Sequence, residues 1–354
     1  METPWLSEIN RLYGKQWTAD QVKKLGDGHI HQTFLIGKEG EEMVLQVFNH
    51  QVFRYPERIT HNYEQVLAGM DFDNMSFVLP MPIRNQKGEL FSFWEGQYFR
   101  IMPYVEGACI NEVQDPFQAY LAGQAFAQFI VAGAKVNIRQ LQESIPGFHD
   151  LLLRYQQLQE ALSRTKRTIS GELKEVLDFF LSQKPLLEEY ECWKQKAPLR
   201  MTHNDTKINN LIFAGDFSKV NAVIDLDTIM AGYAFYDFGD LIRTVACTLG
   251  ESSTDWEGIT VDREKYISLW KGFTQAGKDF FSQEEILSLE FGGRMMTCIM
   301  GVRFLADYLN GNIYYHTSYE EQNLHRAKNQ QQLLQSLQAA SNKEWLKNLM
   351  NGIE

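Results

Sequence analysis

The most informative stretch of the sequence is residues 202–227, which read THNDTKINNLIFAGDFSKVNAVIDLD. Two apolar runs, Leu211–Phe213 and Val220–Leu226, flank a Gly-Asp turn, and this pattern predicts a short β-hairpin. Such a hairpin returns the chain to its starting point, so the loop before the hairpin and the residues after it lie close together. The residues of this stretch whose side chains are suited to catalysis or metal binding are His203, Asp205, Lys207, Asn210, Asp225 and Asp227.

The spacing of Asp205 and Asn210 matches the catalytic loop of protein kinases. In that loop the Asp accepts the proton of the attacking hydroxyl, and an Asn five residues later binds Mg²⁺. A second carboxylate ligand is needed, and the predicted hairpin brings Asp225 back to the loop. We therefore predict Asp205 as the base and Asn210 and Asp225 as metal ligands. Lys207 either neutralises the transferred phosphoryl group or is a solvated surface lysine, and His203 is expected to brace the loop.

Residues 237–239 read Asp-Phe-Gly, the same letters as the metal-binding motif of protein kinases. Asp237 lies well beyond the point to which a short hairpin returns the chain, so we assign the metal to Asp225 instead. Asp237 or Asp240 is expected to brace the loop or to cap a helix at Leu241. Asp227 faces the same cleft as Asp225 only if the strand kinks between them.

The hydropathy pattern divides the chain into a β-rich part and a helical part. Strands are predicted at His29–Ile36, Met43–Phe48, Phe77–Leu79, Leu90–Phe93 and Gln97–Val105, with one helix at Pro56–Met70. Helical periods then follow at Phe117–Ala134, Leu151–Arg167, Gly171–Lys194, Trp256–Gln275, Gln283–Leu309 and Asn323–Met350. We predict an α+β fold with a nucleotide-binding N-lobe at 1–103 and a C-lobe at 104–354 that carries the catalytic loop, metal site and acceptor site.

Composition excludes several classes of protein. The 34 Lys and Arg residues against 45 Asp and Glu residues give a formal charge of −11, which argues against a nucleic-acid partner. No apolar stretch approaches the roughly 20 residues of a membrane-spanning helix, so no membrane partner is expected. The four cysteines lie far apart, and the N-terminus lacks the pattern of a signal peptide. We therefore expect a cytoplasmic protein that begins at Met1.

Several segments resemble the N-acetylhexosamine 1-kinase family, within the wider group of aminoglycoside phosphotransferases and choline kinases. They are GDGHIHQTFLI, THNDTKINNLIFAGD, IDLDTIMAG, YDFGDLIR, GVRFLADYLNGNIYY and NLHRAKNQ, in an order that runs from about residue 20 to 340. The resemblance implies a bilobal protein-kinase-like fold. It also implies that ATP and Mg²⁺ are used to phosphorylate the anomeric (C1) hydroxyl of a small-molecule sugar, GlcNAc or GalNAc.

The resemblance also assigns roles to individual residues. It makes Asp205 the base and Asn210 and Asp225 the metal ligands, and it makes Arg100–Val105 the hinge between the lobes that contacts adenine. The residues expected at the nucleotide are Gly26, Gly28, Gln46, Arg100, Met102 and Tyr104. The residues expected at the sugar are His29, Asp205, Asp227, Arg303 and Tyr314. Hydroxyl-rich ligands need such fixed donors, acceptors and planar faces.

Departures and alternatives accompany these assignments. Gln46 stands where protein kinases carry the strand lysine that grips the phosphates, and Gln322 stands where the family is expected to have a His. Arg303 is alternatively a helix-surface ion pair with Asp307, Tyr314 a core residue, and His29 part of a hairpin turn. The other functions compatible with the sequence are a kinase of an amino sugar, aminoglycoside or choline, and a nucleotide-binding pseudokinase.

Overall fold

The computed structural model describes residues 4–26, 31–49 and 53–352. Its N-terminal part is an antiparallel sheet of strand order β1-β2-β3-β5-β4. The strands are β1 Val22–Lys24, β2 Gln32–Ile36, β3 Met43–Phe48, β4 Ser92–Trp94 and β5 Gln97–Pro103, and the helices are α1 Leu6–Tyr13 and α2 Pro56–Gly69. The two faces of this sheet differ in character, because successive side chains of a strand point to opposite sides.

One face of the sheet is apolar and packs against α1. Phe34, Leu45 and Phe99 are buried there with Trp5 and Ile9 of the N-terminal segment. The other face carries a polar row across three strands, in which Gln46 pairs in register with Thr33 on one side and with Arg100 on the other. This polar row faces the helical lobe, which positions it to contribute to a site between the lobes.

The C-terminal part is mainly helical. Its helices are α3 Pro116–Ala132, α4 Leu151–Arg164, α5 Gly171–Ser182, α6 Pro185–Lys196, α7 Ala234–Val245, α8 Arg263–Ala276, α9 Gln283–Leu309, α10 Gln322–Ser341 and α11 Glu344–Met350. Helix α9 is buried on nearly all sides, and its close contact with α7 depends on glycine. A Cβ atom at Gly292 would lie 2.2 Å from the carbonyl oxygen of Phe235.

Two short antiparallel strand pairs hold the polar loop within the helical lobe. Strand β6 (Arg200–Thr202) pairs with β9 (Met230–Gly232), and β7 (Leu211–Phe213) pairs with β8 (Val220–Val223). The β7–β8 pair is the predicted hairpin, and the mixed α+β fold with two lobes is confirmed. None of the helices in the described ranges has both the length and the apolar character that crossing a membrane requires.

Three predicted secondary-structure elements differ in type or in bounds from those of the structure. Phe77–Leu79 is not a strand, since Val78 forms only an isolated bridge to Ala222. The long helix predicted at Gly171–Lys194 is two helices, because Pro185 begins α6 at a position where its missing N–H costs nothing. The helix predicted from Trp256 begins at Arg263, where Asp262 accepts hydrogen bonds from the first turn.

Candidate active site

The loop between β6 and β7 is held by Asp237, which lies in the first turn of α7. Its carboxylate accepts hydrogen bonds from the backbone N–H of His203 and of Asn204, each at 2.8 Å. The hydroxyl of Thr206 donates to the backbone carbonyl of Asp237 at 2.6 Å. Asp237 therefore braces the loop, as predicted, and does not act as its metal ligand. The helix begins at Ala234 rather than at Leu241.

Asp237 also gives the fold a dependence on pH. The side chain is 0% exposed, and burial raises its pKa from 3.8 to about 7 despite the two backbone donors. A folded-state pKa above the unfolded value contributes stability that is complete below about pH 4 and is lost as the pH rises to about 7. We expect the free energy of unfolding of the wild type to fall by a few kcal/mol over this range relative to Asp237→Asn. Urea unfolding at pH 4.5 and 7.5 measures this, and parallel pH profiles for the two proteins would contradict it.

His203 braces the same loop and is not the base. The residue is 0% exposed, its Nε2 donates to the carbonyl of Ile224 at 3.0 Å, and its Nδ1 accepts from the N–H of Asp205 at 3.3 Å. Burial lowers the pKa of His203. The ring therefore remains neutral and ties the catalytic loop to the end of the hairpin, which confirms the bracing role predicted from sequence.

Asp205, Lys207 and Asn210 come together on this loop. Lys207 Nζ lies 2.9 Å from Asp205 Oδ1, and the Asn210 amide donates to Asp205 Oδ2 at 3.2 Å and to its carbonyl at 2.7 Å. Burial opposes ionisation of Asp205, but Lys207 holds the pKa of this carboxyl below its usual value. Asp205 is thus ionised near neutral pH, as a proton acceptor must be.

Asp225 follows the hairpin and carries an unpartnered carboxylate. Its backbone adopts a left-handed conformation with φ of 60°, and the N–H of the preceding residue, Ile224, donates to the Asn210 carbonyl at 2.9 Å. Within the described ranges the Asp225 side chain has no hydrogen-bond or ion-pair partner. Burial, and then the charges of Asp227 and Asp205, raise its pKa to about 6. A half-buried carboxylate beside two other acids is suited to a divalent cation.

The Asp227 carboxylate, in contrast, has several hydrogen-bond and ion-pair partners. It forms a buried ion pair with Arg100, whose Nη2 donates to Oδ2 at 2.9 Å. Tyr63 Oη donates to Oδ1 at 2.7 Å, and His31 Nε2 lies 2.8 Å from Oδ2. Burial opposes ionisation, but Arg100 and His31 lower the pKa of Asp227. With 1% exposure and these partners, Asp227 does not serve as the sugar ligand expected from sequence.

His31 lies near both Asp225 and Asp227, with potential ligand atoms of the three residues within 4.8 Å of one another. The His31 ring is not free to bind a metal, however, because its Nδ1 accepts the N–H of Asn49 at 3.0 Å while Nε2 donates to Asp227. Asn210 and Asp225 therefore remain the predicted metal ligands, and His31 holds the neighbouring carboxylate of Asp227.

The position of Arg100 contradicts its predicted role as a nucleotide contact. It is 1% exposed, and its guanidinium group points at Asp227 rather than at a nucleotide base. Its Nε donates to Gln46 Oε1 at 2.8 Å, and the Gln46 amide donates to Thr33 Oγ1 at 3.2 Å. The Gln46 amide is thus held between its two cross-strand neighbours, and the charge of Arg100 is paired with Asp227. Met102 and Tyr104, further along the chain, are partly exposed and remain predicted nucleotide contacts.

Arg303 and Tyr314 meet in a second cluster on the helical lobe. The Arg303 guanidinium lies 5.7 Å from the Tyr314 ring centroid and 5.1 Å from that of Phe148. Asp307 does not pair with Arg303, since its carboxylate accepts the backbone N–H groups of residues 313–315. Tyr314 is 54% exposed, so it is not a core residue. Both of the alternatives proposed from sequence for Arg303 and Tyr314 are therefore wrong.

His149 connects this cluster to the catalytic loop. Its Nε2 donates at 2.8 Å to the carbonyl of Asn204, the residue before Asp205, and its ring lies 4.4 Å from that of Phe148. Sequence reasoning did not identify His149, because it belongs to no motif. The only local signal is Asp150, which caps α4 by accepting the N–H of Leu153.

The remaining residues singled out from sequence are Gly26, Gly28, His29 and Gln322. Gly26 has a φ of 67°, a conformation that favours glycine. Gly28 and His29 lie outside the described residues, so their predicted roles stay predictions. Gln322 begins α10, and its side chain accepts the N–H of Ser318 at 2.6 Å, which holds the segment before the helix.

Residues 21–256 match the sequence profile described as the phosphotransferase enzyme family. Since the match spans more than half of the chain, the protein belongs to this family. It is a phosphotransferase with an alcohol group as acceptor.

Solved structures with this fold include proteins that act on different small molecules. A spectinomycin phosphotransferase in complex with ADP and spectinomycin has a TM-score of 0.56 and 13% identity, covering 98% of this chain and 99% of that one. A microcompartment-associated aminopropanol kinase has a TM-score of 0.60 and 14% identity, with 97% and 100% coverage. An ethanolamine kinase of Plasmodium vivax has a TM-score of 0.56 and 11% identity, with 87% and 81% coverage. At these identities the likeness supports the fold.

Proposed function

We propose that this protein transfers the γ-phosphoryl group of ATP to the anomeric (C1) hydroxyl of an N-acetylhexosamine, with Mg²⁺ as cofactor. The observation that carries the proposal is the catalytic loop, where ionised Asp205 contacts Asn210 and lies near unpartnered Asp225. One loop and one hairpin thereby provide a proton acceptor and two oxygen ligands. These are the groups that phosphoryl transfer to a hydroxyl requires.

Asn210 and Asp225 fit the magnesium ion. Their side chains offer an amide oxygen and a carboxylate oxygen, which are the hard ligands that Mg²⁺ prefers. When bound, the ion neutralises charge on the phosphates of the nucleotide. Asp205 accepts the proton of the acceptor hydroxyl, and Lys207, which pairs with it at 2.9 Å, keeps it ionised. The complexes of the spectinomycin phosphotransferase with ADP and with AMP support an adenine nucleotide as donor.

The charge beside the catalytic loop favours a neutral acceptor over a cationic one. Arg303 has no carboxylate partner within the described residues, and it lies close enough to Arg154 to lower that residue's pKa. Choline, ethanolamine and aminoglycosides are cations, so two neighbouring guanidinium groups repel them. An N-acetylhexosamine is neutral, and its hydroxyl and carbonyl oxygens are hydrogen-bond acceptors for guanidinium N–H groups.

Two further assignments are part of this proposal. We place the boundary between the nucleotide-binding lobe and the catalytic lobe at 103/104, where β5 ends. We also infer a cytoplasmic location, which supplies ATP and agrees with the four free cysteines.

The function is tested by measuring ADP release from Mg-ATP with GlcNAc, GalNAc, choline, ethanolamine and kanamycin as acceptors. We expect stimulation by at least one N-acetylhexosamine, with the 1-phosphate as product by ³¹P NMR, and none by the three cations. Stimulation by a cation alone would reject the sugar assignment. Binding of ATP with no acceptor-dependent ADP release would favour a pseudokinase.

A further inference from the structure

The residue directly before Asp205 has an unusual backbone conformation. Asn204 has a φ of 64°, in the left-handed region, which residues other than glycine adopt infrequently. Asparagine is one of the few side chains that visit this region, and such a conformation persists only where the surrounding structure holds it. The direction in which the chain enters Asp205 therefore depends on the contacts of Asn204.

Four hydrogen bonds from separate parts of the helical lobe hold Asn204. Its backbone N–H donates to Asp237 Oδ1 at 2.8 Å. Its side-chain amide donates to the carbonyls of Thr202, in β6, and Thr228, between β8 and β9, at 3.1 and 3.0 Å. Its own carbonyl accepts from His149 Nε2 at 2.8 Å. Among these four partners, only His149 comes from the segment before α4.

The bond to Asn204 is the one hydrogen bond that the His149 ring makes among the described residues. The residue is 6% exposed, and its Nδ1 has no partner in the part of the chain that the structure describes. Burial lowers the pKa of His149 to about 4, so the ring is neutral at pH 7 and carries its proton on Nε2. A buried nitrogen without a partner is unfavourable, so packing alone would suit an apolar ring better. The bond to Asn204 is what requires a histidine here.

Neighbouring aromatic rings fix the position of His149. The ring centroids of Phe148 and Tyr236 lie 4.4 and 5.2 Å from that of His149. Tyr190 Oη donates to the backbone carbonyl of His149 at 3.4 Å, and it lies 2.8 Å from Tyr236 Oη. The imidazole is therefore a fixed donor, and it fixes in turn the carbonyl that it contacts.

The peptide group between Asn204 and Asp205 is held at both of its polar atoms. His149 donates to its carbonyl oxygen, and His203 Nδ1 accepts its N–H at 3.3 Å. Since a peptide group is planar, two such contacts determine its orientation. They also set the direction of the Cα–Cβ bond of Asp205, which carries the carboxylate.

We propose that His149 is a positioning residue for phosphoryl transfer, which acts through the Asn204 carbonyl to orient the Asp205 carboxylate toward the acceptor hydroxyl. Because it is buried, it acts through the loop and not by contact with the substrate. This proposal rests on the part of the proposed function that makes Asp205 the proton acceptor. It does not depend on which small molecule carries the hydroxyl.

The test compares two variants of His149. His149→Phe keeps an aromatic ring and removes the donor, whereas His149→Gln places an amide N–H near the position of Nε2. The assay is ADP release from Mg-ATP with whichever of the five acceptors named above stimulates the wild type. We expect His149→Phe to lower kcat about 10- to 100-fold, because a small displacement of a catalytic group has effects of this size. The KM values for acceptor and ATP should change less than about twofold, and His149→Gln should recover most of the lost kcat.

Tyr155→Phe is the matched control for a loss of stability. It also removes one buried hydrogen bond to a backbone carbonyl in the helical lobe, from Tyr155 Oη to Phe180 at 2.8 Å. We expect both Phe variants to have a lower melting temperature than the wild type, and Tyr155→Phe to retain wild-type kcat. All assays are run well below the lower of the two melting temperatures.

The possible results separate this proposal from the proposed function. If the wild type is active and His149→Phe has the same kcat as Tyr155→Phe, the positioning role is wrong and the function stands. The role is also wrong if His149→Gln is as slow as His149→Phe, since the hydrogen-bond donor would then not matter. If the wild type releases no ADP with any of the five acceptors, the proposed function fails and this proposal fails with it.

Discussion

Asp205→Asn should lower acceptor-dependent turnover by about 10²–10⁴-fold, the usual effect of losing a general base. An amide cannot take the proton of the attacking hydroxyl, and it also ends the ion pair with Lys207. The bond from Asn210 to the Asp205 backbone carbonyl is unaffected, so the loop keeps its shape. We therefore expect nucleotide binding to be nearly intact, as measured by the thermal shift with Mg-ATP.

The matched control is Asp216→Asn. Asp216 lies in the turn of the hairpin that precedes Asp225, and its carboxylate accepts hydrogen bonds from the backbone N–H and the hydroxyl of Ser218 on the protein surface. It should retain wild-type turnover. Near-full turnover in Asp205→Asn would show that another group is the base.

Arg100→Met should destabilise the protein by about 3–5 kcal/mol, because it leaves the Asp227 carboxylate buried without its cation. The Asp227 side chain has no exposed surface in the ion pair, so water does not compensate for the loss. Tyr63 and His31 still donate to the carboxylate, but neither supplies a permanent charge. We expect the free energy of unfolding in urea to show this loss.

Two further variants separate charge from packing. Arg100→Met with Asp227→Asn removes both charges and should recover most of the lost stability. Arg84→Met breaks a solvent-exposed ion pair with Glu64, and it should destabilise the protein far less than Arg100→Met, because water screens this pair. An equal, small loss in Arg100→Met and Arg84→Met would contradict the buried ion pair.

The sequence predicts that Asp205, Asn210 and Asp225 lie near one another because these residues are close along the chain. Asp205 and Asn210 share one loop, and a short hairpin joins them to Asp225, so spacing and turn signals are enough to bring them together. The same argument rejected Asp237 as metal ligand, and the structure confirms that this carboxylate binds backbone N–H groups of the loop.

Contacts between distant segments are not predictable in this way. Arg100 and Asp227 are 127 residues apart. From sequence alone Arg100 is simply the first residue of the predicted hinge, because the register that turns it toward Asp227 is seen only in the folded sheet. His149 is 55 residues from its partner Asn204 and belongs to no motif. The role of Arg100 depends on how the two lobes pack, and that of His149 depends on how the segment before α4 packs against the loop within the helical lobe. A local sequence pattern contains neither.

The carboxylate of Asp227 belongs to the helical lobe, yet the three side chains bonded to it all come from the other lobe. A further hydrogen bond joins the lobes beside them, from the Asn62 amide to the Ile229 carbonyl at 2.8 Å. These contacts tie the two lobes together beside the hairpin. Asp225, two residues from Asp227, therefore lies beside contacts that join the two lobes, and we expect this predicted metal ligand to shift little when the cleft opens for the nucleotide.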